Sequence, residues 1–158
     1  MNRGDIKSYL YIGIDTGKGG GICLISESRV SIYKCGKSIH DMSDQLRIAL
    51  ELSRDVDVYC CIEKNHSWSG QGVKSTWTFG HNSGAWEGIL SAYNIPYELV
   101  TPQKWMRWVG VPTKMEKRER KNWLKDEAIR RYPHYKKLIT LATADAVLIA
   151  TYARDRYR

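Results

Sequence analysis

Two apolar runs constrain this chain more than any other feature. They are YLYIGI, residues 9–14, and VYCCI, residues 58–62, each followed at once by an acid, Asp15 and Glu63. Runs this short, rich in β-branched and aromatic side chains, read as strands, and a run apolar on both faces is covered on both sides. A carboxylate at the end of such a strand is costly unless it is paired, hydrogen-bonded or metal-bound. Open α/β sheets commonly place their sites beyond the carboxyl ends of central strands, so both acids are candidates for one site there. A third, Asp145, interrupts the very apolar segment ATADAVLIA, residues 142–150. The small Ala142, Ala144 and Ala146 beside it allow this segment to press against a sheet and bring the acid to the other two.

The rest of the chain supplies the elements for that sheet. TGKGGG turns the first strand into ICLIS, and SRVSIYKC follows as a third, making a three-strand meander. Residues 41–53 read as a helix, with Ile39, Met42, Leu46, Ala49, Leu50 and Ser53 on a 3.6 period and Ser38 or Asp41 as cap. Residues 56–63 are a central strand, and the polar residues 64–79 a loop or flap. A helix is expected from about residue 82 to 93. Gly80, Gly84 and Gly88 form a ridge there that either lets another backbone approach or meets the protein's own sheet. A short strand at 95–100, a helical turn opened by TPQKW, a charged helix at 115–133 and a last helix at 138–157, apolar on one face, complete the order β-β-β-α-β-α-β-α-α. This is a mixed α/β fold with helices covering a sheet, in one domain spanning residues 1–158, with no repeat or linker.

The formal charge is +8, which suits a polyanionic partner, although a ribosomal bystander or an anionic membrane surface would suit it too. Lys114, Lys117, Arg118, Arg120 and Lys121 form the densest basic run. Its alternative reading is a solvated helix face paired with Glu116 and Glu119. Lys18, in the glycine turn beside Asp15, is placed to meet a phosphate. In the loop after Glu63, His66, Trp68, Lys74 and Trp77 are candidates to enter a nucleic acid or stack on its bases. Trp105 and Trp108 read as packing residues, and His40 and His81 as incidental. The four cysteines, Cys23, Cys35, Cys60 and Cys61, contain no CxxC and read as reduced, mostly buried thiols rather than zinc ligands. No GxxxxGK[ST] occurs, so no nucleotide cofactor is expected. With neither a membrane-length apolar run nor a signal peptide, the expected location is cytoplasmic, or the host cytoplasm for a viral protein.

Three hard carboxylates in a basic chain point to Mg²⁺ or Mn²⁺. Two such ions about 3.5–4 Å apart activate water and relieve charge on the leaving oxygen in phosphodiester hydrolysis.

From YIGIDTGKGGG through IEKNHSWSGQGVKSTWTFGHNSGAWEGIL and TPQKW to ATADAVLIATYA, nearly the whole chain resembles the RuvC-type Holliday junction resolvases of the ribonuclease H-like superfamily, closer to phage-type or RuvC-like relatives than to the bacterial housekeeping enzyme. The resemblance implies a ribonuclease H-like fold, a five-stranded mixed sheet flanked by helices. It also implies a homodimer formed through the helix around residues 80–93, paired symmetric nicks in four-way DNA junctions, and Mg²⁺ or Mn²⁺ as cofactor, two ions per site. Asp15, Glu63 and Asp145 match family metal ligands. Lys114 and Lys117 match the region of its functional lysines, with Lys117 the candidate to stabilise charge in the transition state. The chain departs from the family at its fourth metal position, which is Ala142 here, and the alternative position, five residues before the last aspartate, is Thr140. Thr140, Thr143, His134 or a water is left to compensate. The competing readings are another ribonuclease H-like nuclease, acting on RNA/DNA hybrid or on duplex or branched DNA; a non-catalytic junction-binding protein; and an adaptor whose acids are structural.

Overall fold

The computed structural model describes residues 8–17, 19–51, 56–64, 66 and 70–158. The elements are β1 (Tyr9–Ile14), β2 (Gly21–Ile25), β3 (Val30–Lys34), α1 (Ile39–Glu51), β4 (Asp57–Glu63), α2 (Val73–Ala92), β5 (Tyr97–Val100), α3 (Pro102–Val109), α4 (Lys117–Arg131) and α5 (Ala144–Tyr157), with a 3-10 turn at Pro133–Tyr135. The strands form a five-stranded sheet in the order β3-β2-β1-β4-β5. The meander β1-β2-β3 is antiparallel, while β4 is parallel to both β1 and β5. The expected mixed sheet with flanking helices is therefore present.

Strand periodicity divides the core in two. Leu10, Ile12 and Ile14 of β1 pack with Ile22 and Leu24 against Met42 and Leu46 of α1 and Trp86, Ile89 and Leu90 of α2. Tyr11, Cys23, Ile25 and Cys61 face the other way, against Trp105 of α3, Leu124 and Ala128 of α4, and α5. Three of the cysteines are buried, Cys35 is half-buried, and all four are free thiols. At the start of α1 both proposed caps act together. The Ser38 Oγ accepts the Asp41 N–H at 3.1 Å, and Asp41 Oδ2 accepts the Ser38 N–H at 3.0 Å, a reciprocal capping box.

The structure corrects three boundaries. Residues 73–79, expected in a loop, form the first turns of α2. The buried Trp86–Leu90 end holds the helix, each further residue adds a backbone bond, and no proline stops it before Gly72. The Thr76 and Thr78 hydroxyls donate to carbonyls one turn back. The TPQKW turn is a full eight-residue helix, α3, with the Thr101 side chain accepting the Lys104 N–H. Residues 138–143, expected in the last helix, precede it. There the Thr143 hydroxyl donates to the Leu138 carbonyl at 2.8 Å and accepts the Thr140 N–H at 2.9 Å, local bonds that compete with helix formation. Asp145 accordingly lies in the first turn of α5. That helix is also buried on all sides from Ala144 to Ala153, not on one apolar face alone.

The seat of α5 is unusually close. A Cβ on Gly13 would lie 2.2 Å from the Ala150 nitrogen and 2.4 Å from the Ala146 oxygen. One on Gly21 would lie 3.2 Å from the Ala142 oxygen. Helix and sheet therefore touch backbone to backbone. At the far end, Glu98 of β5 accepts from Lys104 and from the Tyr157 hydroxyl, each at 2.7 Å. Among the described residues no helix is long and apolar enough to cross a membrane.

Candidate active site

β1 and β4 pair in parallel with Ile14 beside Ile62. One residue further on, Asp15 and Glu63 leave neighbouring strands at the same level, and strands so paired lie about 4.8 Å apart. Alternation from Tyr11 and Gly13 on β1, and from Cys61 on β4, turns both acids to the face that α5 covers. The first turn of α5, seated over Gly13 and Gly21, carries Asp145 to the same place. It also sets that carboxylate near the positive end of the helix dipole. Glu63 is 8% exposed and Asp145 3%.

Each carboxylate is oriented. Asp15 Oδ1 accepts the Gly17 N–H at 2.9 Å. Glu63 Oε2 accepts the indole N–H of the fully buried Trp105 at 2.9 Å. Asp145 Oδ2 accepts from the Lys121 ammonium of α4. Asp145 Oδ1 is buried and has no partner among the described residues. Burial, followed by repulsion from Asp145, raises the Asp15 carboxyl. Burial, followed by repulsion from Asp15 and Asp145, pushes Glu63 up to about 8 against the opposing Trp105 hydrogen bond. Burial works against the Lys121 ammonium, yet Asp145 and then the other two carboxylates hold it above its ordinary range.

The donor set is all carboxylate oxygen and carries an orphan lone pair, which fits a hard divalent cation. Among the described residues no three His, Cys, Asp or Glu side chains are already drawn around one point. Holding an ion therefore requires the carboxylates to close on it.

The raised carboxyls have a thermodynamic consequence. The folded Glu63 titrates near 8 against 4.5 when unperturbed, so the folded chain binds more protons than the unfolded chain between those values. Its contribution is therefore complete below about pH 4.5 and is lost as pH rises through about 8, a fall of order a few kcal/mol. In EDTA, the thermal midpoint should drop across this window, and Glu63→Gln should flatten the profile. An unchanged slope in the variant would remove Glu63 as the cause.

The other candidates fall at different distances from this centre. Lys117 and Arg118 are exposed on the first turn of α4 and line a recess with Lys121, Asn122 and Leu141. Lys114 is exposed in the preceding loop, with a left-handed φ of 66°. Among the described residues, Glu116 and Glu119 make no ion pair with this run. His66 is exposed, Lys74 is exposed on α2, and Trp77, 66% exposed, stacks on His81 at 4.8 Å. His40 is exposed at the start of α1. Trp108 packs edge-on against Tyr152, as expected of a packing residue. Lys18, Ser53 and Trp68 lie outside the described residues.

The lysine that touches the carboxylates is Lys121, a member of the basic run, and not Lys117, the lysine expected to stabilise charge there. Trp105, read as packing alone, also holds Glu63. The signal for it was available, since a buried indole N–H needs an acceptor. The glycine ridge does not meet the sheet: a Cβ on Gly80, Gly84 or Gly88 would meet nothing within 4 Å.

Comparison with solved structures gives the fold its relatives. Thermus thermophilus RuvC matches with a TM-score of 0.56 at 14% identity, over 93% of this chain and 96% of that one. The same protein in complex with Holliday junction substrate matches with a TM-score of 0.53 over the same shares. The yeast mitochondrial Holliday junction resolvase gives 0.48 at 20% identity, over 92% of this chain and 76% of that one. No protein-family model and no curated protein matches the sequence. The fold is the ribonuclease H-like fold of RuvC.

Proposed function

We propose that this chain is a divalent-metal-dependent endonuclease that nicks branched DNA, with the four-way junction as its substrate. The observation that carries this reading is the meeting of Asp15, Glu63 and Asp145 at one sheet edge, where Asp145 raises the Asp15 carboxyl, both raise Glu63, and one Asp145 oxygen is orphaned. The fold shared with a protein solved on Holliday junction substrate agrees with it.

Asp15, Glu63 and Asp145 would hold the metal. When bound, it supplies an activated water and charge relief on the leaving oxygen. The remaining work belongs to the chain. The Gly17 N–H and the Trp105 indole fix the Asp15 and Glu63 carboxylates, Lys121 anchors Asp145, and Lys114, Lys117 and Arg118 bind backbone phosphates at the mouth of the site. Lys117 is one turn further out than Lys121 and would meet the scissile strand directly. Lys74 and Trp77, exposed on α2, and His66 would contact the branch point. The open glycine ridge of α2 would let a second copy of the chain pack closely, forming the homodimer that paired nicks require.

The test is a labelled four-way junction and a matched linear duplex, incubated with Mg²⁺, Mn²⁺ or EDTA. Paired symmetric nicks in the junction alone, absent in EDTA and in Glu63→Gln, are expected. Equal cutting of the linear duplex or of an RNA/DNA hybrid would favour a different ribonuclease H-like nuclease. Tight junction binding without cutting in either metal would leave only a binding protein.

A further inference from the structure

The site holds a cation of its own. Asp145 is almost fully buried, and one of its oxygens is taken by the Lys121 ammonium. Lys121 is no loose surface lysine. It sits inside the 15-residue α4, half-buried, while its neighbours Lys117 and Arg118 are exposed. The side chains of the segment leading into α5 offer no uncommitted oxygen to set against it. The Thr143 hydroxyl donates to the Leu138 carbonyl, the Thr140 hydroxyl pairs with that of Thr143 at 3.3 Å and accepts the Ala142 N–H, and Ala142 presents only a methyl group. His134 is exposed in the 3-10 turn. In the chain without DNA, and with all three acids ionised as metal binding requires, three carboxylates and one ammonium leave two net negative charges, which one divalent ion neutralises. Two divalent ions beside that ammonium would leave an excess of positive charge against the three carboxylates, a costly arrangement next to the buried Asp145.

We infer that Lys121 takes the share of carboxylate charge that a second divalent ion would otherwise take, so that this chain binds one ion where its three acids alone would suggest two. This rests on the metal-dependent reading above and changes its stoichiometry. The ammonium would hold Asp145 in place before the ion arrives and remain beside the reacting phosphate as a permanent positive charge.

The test counts Mn²⁺ bound to the full chain without DNA, from the free-ion signal in electron paramagnetic resonance. The wild-type chain should bind one ion. Lys121→Met, which removes the charge and keeps most of the stem, should bind two, or one at least about tenfold more tightly, a change of about 1.4 kcal/mol. Lys121→Arg should remain at one. Should Lys121→Met fail to hold its fold by thermal melting, Lys121→Gln carries the same comparison. Two ions on the wild-type chain would overturn the inference and leave the nuclease reading standing, as would an uncharged variant that still binds one ion with unchanged affinity. No Mn²⁺ on the wild-type chain would overturn the inference, and the junction-cutting assay in Mn²⁺ would then decide the nuclease reading separately.

Discussion

Gly13→Val should cost this protein its fold or nearly so. A side chain at position 13 would begin 2.2 Å from the Ala150 nitrogen and 2.4 Å from the Ala146 oxygen. Both are backbone atoms of a helix buried on every side, and neither can swing away as a side-chain tip would. Relief requires α5 to lift from the sheet, which opens the core around Val147, Ile149 and Ala150 and carries Asp145 away from Asp15 and Glu63. Overpacking of this kind costs about 1–3 kcal/mol when side chains alone rearrange, and more when a helix must move. Even Gly13→Ala should therefore lower stability by at least about 2 kcal/mol in denaturant titration. Gly72→Ala is the matched control, because a Cβ there meets nothing within 4 Å and φ is −59°. Equal stability of the Gly13 and Gly72 variants would show that α5 does not sit as described.

Asp15→Asn and Asp145→Asn should both abolish metal-dependent junction cutting, by about 10³-fold or more if each carboxylate helps hold the catalytic ion. They should part company in stability. Asp15 is raised by burial and by repulsion from Asp145, and an amide in its place removes both burdens while its oxygen still accepts the Gly17 N–H. At pH 8 without metal, Asp15→Asn should therefore raise stability, the usual sign for a site built for function at the fold's expense. Asp145→Asn instead leaves the half-buried Lys121 ammonium without its carboxylate partner, and should lower stability by about 1 kcal/mol. Urea titrations of the two variants beside the wild type decide this. A gain in both would mean that Lys121 is solvated and indifferent to Asp145. Retained cutting in either would remove that acid from the metal site.

Both predictions depend on an arrangement that was only partly legible beforehand. That Asp15 and Glu63 end central strands could be read from YLYIGI and VYCCI, because strand periodicity and burial are local properties of a few consecutive side chains. The sequence also supported the meander, the helix capped by Ser38 and Asp41, and the small residues around Asp145 that allow close packing. Only the tertiary structure decided that Gly13 is the floor on which Ala146 and Ala150 rest. The two segments are far apart along the chain, and no local pattern records what a glycine's missing side chain makes room for. The same holds for the glycine ridge of α2, whose spacing marks a face but not what that face meets. Lys117 and Lys121 are equally basic and lie on one helical run. Four residues displace one from the other by about 6 Å along the axis, and the packing of α4 on α5 determines that Lys121, not Lys117, reaches Asp145. Local chemistry named the acids; the register of β1 with β4 and the crossing of α5 over them brought those acids to one edge of the sheet.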